Sequence, residues 1–349
     1  MSGPIPVTIL TGFLGAGKTT LLNALLKQPE MANTAVLINE FGEIGLDHLL
    51  VERLDGDTVL LNAGCLCCTI RGDLLTALDG VWDRMLVGQA VARVVVETTG
   101  LADPAPILHT LMADPRLARR FVLDGVVTLV DAATGMATLD TQPEALRQAA
   151  VADRIVLTKT DLVPPAQVAA LQDRLAALNP VAPILAAIAG DVPAARLLDA
   201  GPYDTSAKAP AVATWIGAAA PHGHHHGHHH HHHDRNRHDS SIQALCLEFD
   251  EPLPWSGLAG WLEMLAMTRG ASVLRVKGLL DLQGEDRPVV IHGVQHLFHP
   301  PIRLAAWPEG TPRRSRLVFI LRQLEPDVVR NGLDAFLRAA RDEAALGAG

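Results

Sequence analysis

The chain has 349 residues, of which 48% are hydrophobic, 19% charged and 4% aromatic, with a formal charge of −9. That length predicts two domains that each bury a sizeable core, and the composition excludes a disordered chain. The negative balance argues against general binding to nucleic acid or to an anionic membrane surface.

The opening residues, MSGPIPVTILTGF, lack the basic segment, long apolar run and small-residue cleavage site of a secretory signal, which predicts a cytoplasmic protein. Short, largely apolar runs at residues 7–10, 35–39, 58–62, 93–98, 125–131, 154–158 and 182–187 predict strands covered on both faces. Helical patterns at 20–27, 71–86 and 165–178 alternate with them, which is the signature of crossover units on a parallel sheet. The most apolar candidate for a membrane span, residues 121–139, is interrupted by Asp124 and Asp131 and reads better as a buried strand.

Periodicity stops over residues 201–241, which are Pro/Ala-rich and end in HGHHHGHHHHHHDRNRH, so they read as a flexible linker. Neutral imidazoles bind Zn²⁺, Ni²⁺ and Co²⁺, and the tract is either a metal store or a solvated linker. From residue 242 onward a strand, a helix at 257–266, strands within 273–282, 288–298 and 315–324, and a last helix near 327–340 predict a smaller α+β domain. The expected division is residues 1–200, 201–241 and 242–349. His292, His296 and His299 around its third strand are expected to face solvent.

GFLGAGKTT, residues 12–20, fits the phosphate-loop pattern G-x-x-x-x-G-K-[ST] between an apolar strand and an amphipathic helix. The backbone N–H groups across Gly12, Gly15, Ala16, Gly17 and Thr20 are expected to cradle phosphates. Lys18 would reach the β and γ phosphates, and Thr19 offers its hydroxyl to Mg²⁺. Glu97 ends a buried strand in VVVETTG, where its carboxylate can hold Mg²⁺ through water, and Gly100 allows backbone approach to the γ phosphate. TKTD, residues 158–161, supplies Lys159 and Asp161. A carboxylate pairs with the two N–H donors of guanine and repels the acceptor that adenine presents, so GTP is favoured over ATP. The usual Asn at the start of that pattern is Thr158 here.

NAGCLCCTI, residues 62–70, holds Cys65, Cys67 and Cys68, three of the four cysteines. Adjacent cysteines make poor structural disulfides, and a reducing compartment disfavours them, leaving metal binding or redox chemistry. In an extended segment Cys65 and Cys67 face one way, and Cys68 joins them if the chain turns into the helix expected from about Thr69. A helix start favours thiolate, and three thiolates suit Zn²⁺ or another thiophilic ion with its fourth position open. Cys246, alone on an alternating strand, is expected to fill core.

Together, GFLGAGKTTLLN, LINEFGEIGLD, NAGCLCCTIRGDL, VETTGLADPAP and the later RVKGLL, VVIHGVQHLF and RLVFILRQL resemble the CobW family of metal-handling GTPases, across both expected domains. The resemblance implies an α/β fold with a doubly wound, mainly parallel sheet of P-loop GTPase type and a smaller C-terminal α+β domain. It further implies a metallochaperone that binds metal at the three cysteines with GTP and Mg²⁺ present and delivers it to a client metalloprotein. NEFGEIG is then the first switch segment, and Glu40 a candidate oxygen ligand near the thiolates or else a solvated switch carboxylate. Zinc is favoured, because the longer cysteine-containing insertion of cobalamin-linked members is missing. Cobalt supply for cobalamin synthesis, a metal store or sensor, and a GTP-driven switch with structural zinc are the alternatives. A homodimer is left open, and no residue stands out as positioning the attacking water.

Overall fold

The computed structural model describes residues 3–39, 59–63, 66–198, 242–308 and 312–347. Glu40, Cys65, the expected switch segment and the histidine tract lie outside them, and the description of Cys67 and Cys68 covers backbone alone.

The first part runs β1 (Ile5–Gly12), α1 (Lys18–Leu26), β2 (Thr34–Asn39), β3 (Val59–Ala63), α2 (Leu66–Leu86), β4 (Arg93–Glu97), α3 (Ala105–Ala113), α4 (Pro115–Ala118), β5 (Phe121–Asp131), α5 (Gly135–Thr141), α6 (Pro143–Val151), β6 (Arg154–Thr158), α7 (Pro165–Leu178) and β7 (Ile184–Ala187). Among the described residues its strands form one sheet in the order β3-β2-β4-β1-β5-β6-β7, every neighbouring pair parallel. Helices cover both faces. Ile9, Leu37, Val94 and Val96 pack with Leu74 and Leu78 of α2 and Ile107 of α3, while Leu10, Val36, Val95 and Val156 pack with Leu21, Leu22 and Leu25 of α1. Coverage on both sides is why these strands read as unbroken apolar runs. The membrane-span candidate is the buried strand β5, and no helix among the described residues is long and apolar enough to cross a membrane.

The second part runs β8 (Ile242–Phe249), α8 (Trp255–Arg269), β9 (Val273–Leu280), β10 (Val289–Val294), β11 (Leu297–Phe298), β12 (Ile302–Arg303), β13 (Ser315–Arg322) and α9 (Pro326–Gly347). Its sheet is antiparallel in the order β11-β10-β9-β13-β8, with β12 on β10. One face carries Val276, Ile291, Leu317 and Phe319 against Leu258 and Trp261 of α8 and Val329 and Leu333 of α9. The opposite face packs on the first part: Val294 and Ile320 share a cluster with Ile107 and Leu111 of α3 and Val151 of α6.

The structure overturns two expectations. His292 was expected in solvent, yet it is only 4% exposed, because the face of β10 it occupies is the one the first sheet's helices cover. His299 is half-buried, and only His296 is exposed. Cys246 was expected in the core, yet it is an exposed free thiol. On β8, Leu245 and Leu247 turn inward, and alternation sends Cys246 outward. Partial burial and the neighbouring Glu248 push its thiol up.

Candidate functional site

In a sheet of parallel strands all carboxyl ends lie on one edge, and ligands bind in the crevice there. β1, β4 and β6 deliver the phosphate loop, Glu97 and residues 158–161 to that edge.

β1 ends at Gly12, whose φ of 144° lies in the left-handed half of the map and whose Cβ, if present, would lie 2.5 Å from the Leu129 carbonyl oxygen. Only glycine fits there. Gly15 and Gly17 turn the loop at φ of 74° and 90°, and Gly17 caps α1, whose first turn has no acidic residue. The unpaired amides of that first turn, with the positive end of the helix, suit an anion. The Lys18 ammonium donates to the carbonyl oxygens of Gly12 at 2.9 Å and Phe13 at 3.4 Å, so it lies back across the loop it would serve. Thr20 is exposed and Ala16 buried.

β1 and β4 are neighbours in register, Leu10 opposite Glu97. The Thr19 hydroxyl therefore meets the buried Glu97 carboxylate, donating to Oε1 at 3.1 Å. A hydroxyl and a carboxylate side by side are the hard oxygen donors that Mg²⁺ prefers. Beyond Glu97, the Thr98 hydroxyl donates to that of Thr11 at 2.8 Å. Gly100 is buried so tightly that a Cβ would lie 2.6 Å from the Leu14 backbone nitrogen.

On the other side of β1 the Thr158 hydroxyl donates to the Ala16 carbonyl at 2.8 Å, tying the TKTD segment to the phosphate loop. Lys159 has φ of 56° and its ammonium meets Asp131 Oδ2 at 2.6 Å. Asp161 is exposed in a single 3₁₀ turn, Thr160–Leu162.

Sequence reasoning missed Asp131, which closes β5 beside β6; the signal was an acidic residue at the end of an apolar strand. It also missed the turn after β7, where Ala189 and Gly190 have φ of 50° and 82° and a Cβ on Gly190 would lie 2.9 Å from the Thr20 carbonyl oxygen. β7 neighbours β6, so this turn follows the strand next to the one that leads to Asp161. Here the signal was a small-residue Ala-Gly pair directly after the last strand.

β3 leads to the cysteines. α2 begins at Leu66, three residues before the expected Thr69, so Cys67 and Cys68 belong to its first turn rather than to an extended segment and a bend. Consecutive helical residues are about 100° apart, which replaces the alternation argument for Cys67. Among the described residues no group of three or more His, Cys, Asp and Glu side chains is placed to hold a metal ion.

Residues 6–186 match the family described as "CobW/HypB/UreG, nucleotide-binding domain", and residues 242–337 match "Cobalamin synthesis protein cobW C-terminal domain". The zinc chaperone YjiA of Escherichia coli (strain K12) is 34% identical over 328 residues, covering 94% of this chain and 97% of its own length. The zinc chaperone CobW of Sinorhizobium sp is 30% identical over 365 residues, covering 96% of this chain and 98% of that protein. The crystal structure of the Zn(II)-bound YjiA GTPase from E. coli matches with a TM-score of 0.70 at 30% identity, over 96% of this chain and 99% of that one.

Proposed function

The chain belongs to the CobW family, and from that membership we propose that it is a GTP-dependent metallochaperone that carries zinc as cargo on Cys65, Cys67 and Cys68 and passes it to a client metalloprotein. The observation that carries this reading is that β1, β4, β6 and β3 end on one edge of one parallel sheet. The nucleotide motifs and the strand that leads to the cysteine element therefore end on the same edge of the sheet. Two relatives across nearly the whole chain carry the name zinc chaperone, which supports zinc over cobalt.

In this reading the amides of α1 and the Lys18 ammonium take the phosphates, moving Lys18 off the Gly12 carbonyl. Lys18 neutralises charge that develops on the γ phosphate as its bond to the β-phosphate oxygen breaks. Thr19 and Glu97 would hold Mg²⁺, Glu97 through water, and the ion would supply further positive charge to the phosphates. Asp161 accepts from the guanine N–H groups, and the backbone of the turn at Ala189 faces the same base. Glu40, next after β2, is the candidate oxygen ligand that the γ phosphate brings toward the thiolates; hydrolysis then loosens the metal site. By reciprocity, bound zinc tightens GTP by the same factor.

The test is zinc titration of the purified chain against a chelating dye, in GTP and in GDP, beside a variant with Cys65, Cys67 and Cys68 replaced by serine. The expected result is tighter zinc in GTP and loss of that site in the serine variant with nucleotide affinity kept. Equal zinc affinity in the two nucleotides defeats the coupling, and unchanged zinc binding in the variant defeats the site. A pull-down in the GTP state names the client.

A further inference from the structure

Residues 98–104, between β4 and α3, are gripped from two sides. Toward the phosphate loop, Gly100 lies against Leu14 and Thr98 against Thr11. From the opposite side comes Gln148 of α6, a glutamine only 1% exposed. Its side-chain amide donates to the carbonyl oxygens of Gly100 at 3.1 Å and Ala102 at 3.0 Å, and its own backbone carbonyl accepts from the Thr128 hydroxyl at 2.7 Å. Burying an amide is costly unless its hydrogens are used, and here both are spent on this one loop.

The far end of α6 is fixed by the other domain. Asp153, just past the helix, accepts from the Val126 amide at 2.9 Å through Oδ2 and meets both Arg275 and Lys277 of β9 at 2.5 Å through Oδ1. All three side chains are buried. The other end of the gripped loop runs into α3, which packs on β10 and β11 and whose His109 ring stands edge-on to His296 at 4.4 Å. Both helices that hold the loop are thus docked on the C-terminal sheet.

We propose that Gln148 is a positioning residue for residues 98–102 during GTP hydrolysis, and that the C-terminal sheet, through Arg275 and Lys277 on Asp153, sets how firmly α6 holds that loop. The proposal rests on the GTPase reading above. Gly100 is the point where backbone would meet a γ phosphate, so the loop's position discriminates GTP from GDP. Linkage then requires that GTP change the tightness of the domain seam.

The decisive variant is Gln148→Met, which keeps the volume and removes both donors, assayed in the full chain. The expected outcome is GDP affinity within about twofold of wild type, with affinity for a non-hydrolysable GTP analogue and kcat each lower by about tenfold or more. Equal loss of GDP and analogue binding, or no loss of either, overturns the positioning role. A second measurement needs no substitution: hydrogen exchange of residues 273–280 in wild-type protein, with the analogue and with GDP. Exchange at least about threefold slower with the analogue supports control by the C-terminal sheet, and identical exchange overturns it. A wild-type chain that binds GTP without hydrolysing it defeats the GTPase reading itself, and the analogue-against-GDP comparison then decides the positioning claim alone.

Discussion

In the proposed function, base choice rests on the single carboxylate of Asp161. Guanine offers that group two N–H donors, where adenine offers an acceptor, so removing the carboxylate should cost GTP and spare ATP. Asp161→Ala is expected to weaken GTP by about a hundredfold, the size of a charge-assisted pair of hydrogen bonds, and to leave the weak binding of ATP unchanged. Competition against a fluorescent GDP measures both, and parallel loss of the two nucleotides would show that Asp161 supports the loop rather than the base. Thr158 has a different task, because its hydroxyl is spent on the Ala16 carbonyl. Thr158→Val keeps the branched shape and removes that bond, so about 1 kcal/mol of stability should go while base preference stays. Urea unfolding and the same competition assay separate the two effects.

At the scale of elements, the phosphate loop and the loop after β4 are pressed backbone to backbone at Gly100 and Leu14. Gly100→Ala must push them apart. The expected result is at least about a tenfold loss of affinity for a GTP analogue with GDP affinity within about threefold, read by calorimetry, because the proposed function has the γ phosphate, which GDP lacks, meet the backbone at Gly100. The strands, the phosphate loop and Glu97 were legible in the sequence because each is a local signal, an apolar run or a glycine spacing followed by a helical pattern. The start of α2 was misjudged because Cys67 was taken as continuing the extended run, with Cys68 at the turn, while the chain is already helical at Leu66. His292 was placed on the wrong side because which face of a strand is covered depends on the neighbouring domain, and no local pattern encodes that; Cys246 was misplaced because it alternates with Leu245 and Leu247, which take the inward positions. Gln148 escaped notice because a polar residue on a helix reads as a solvated one until the loop that takes its hydrogens is known.

The molecule as a whole is joined by a seam whose charges do not balance. Asp153 faces Arg275 and Lys277, and His292 and His299 stand beside them with their rings 5.4 Å apart; at the α3 edge His109 and His296 face each other near Asp103. Burial alone would raise Asp153, but Arg275 and Lys277 overcome it and hold its carboxyl well below the usual carboxylate range. It therefore stays ionised throughout mild acid. The imidazoles behave oppositely: burial, then Arg275, lowers His299 to about 4 from an ordinary 6.5, and the same two causes lower His292 well below that value. A base whose docked pKa is depressed binds protons more readily once the seam opens, so docking is at full strength above about pH 6.5 and weakens as pH falls toward 4. His299 alone accounts for about 2 kcal/mol lost by pH 5, which is large beside the few kcal/mol that hold most domain pairs. Urea unfolding at pH 7.5 and 5.0 should show that loss in the full chain, and the double variant His292→Leu with His299→Phe should reduce the dependence to the part that His109, also lowered by burial, contributes. Stability unchanged between the two pH values in the wild type would mean that water already reaches the imidazoles, and that the C-terminal sheet sits more loosely on α3 and α6 than the burial of β9 and β10 implies.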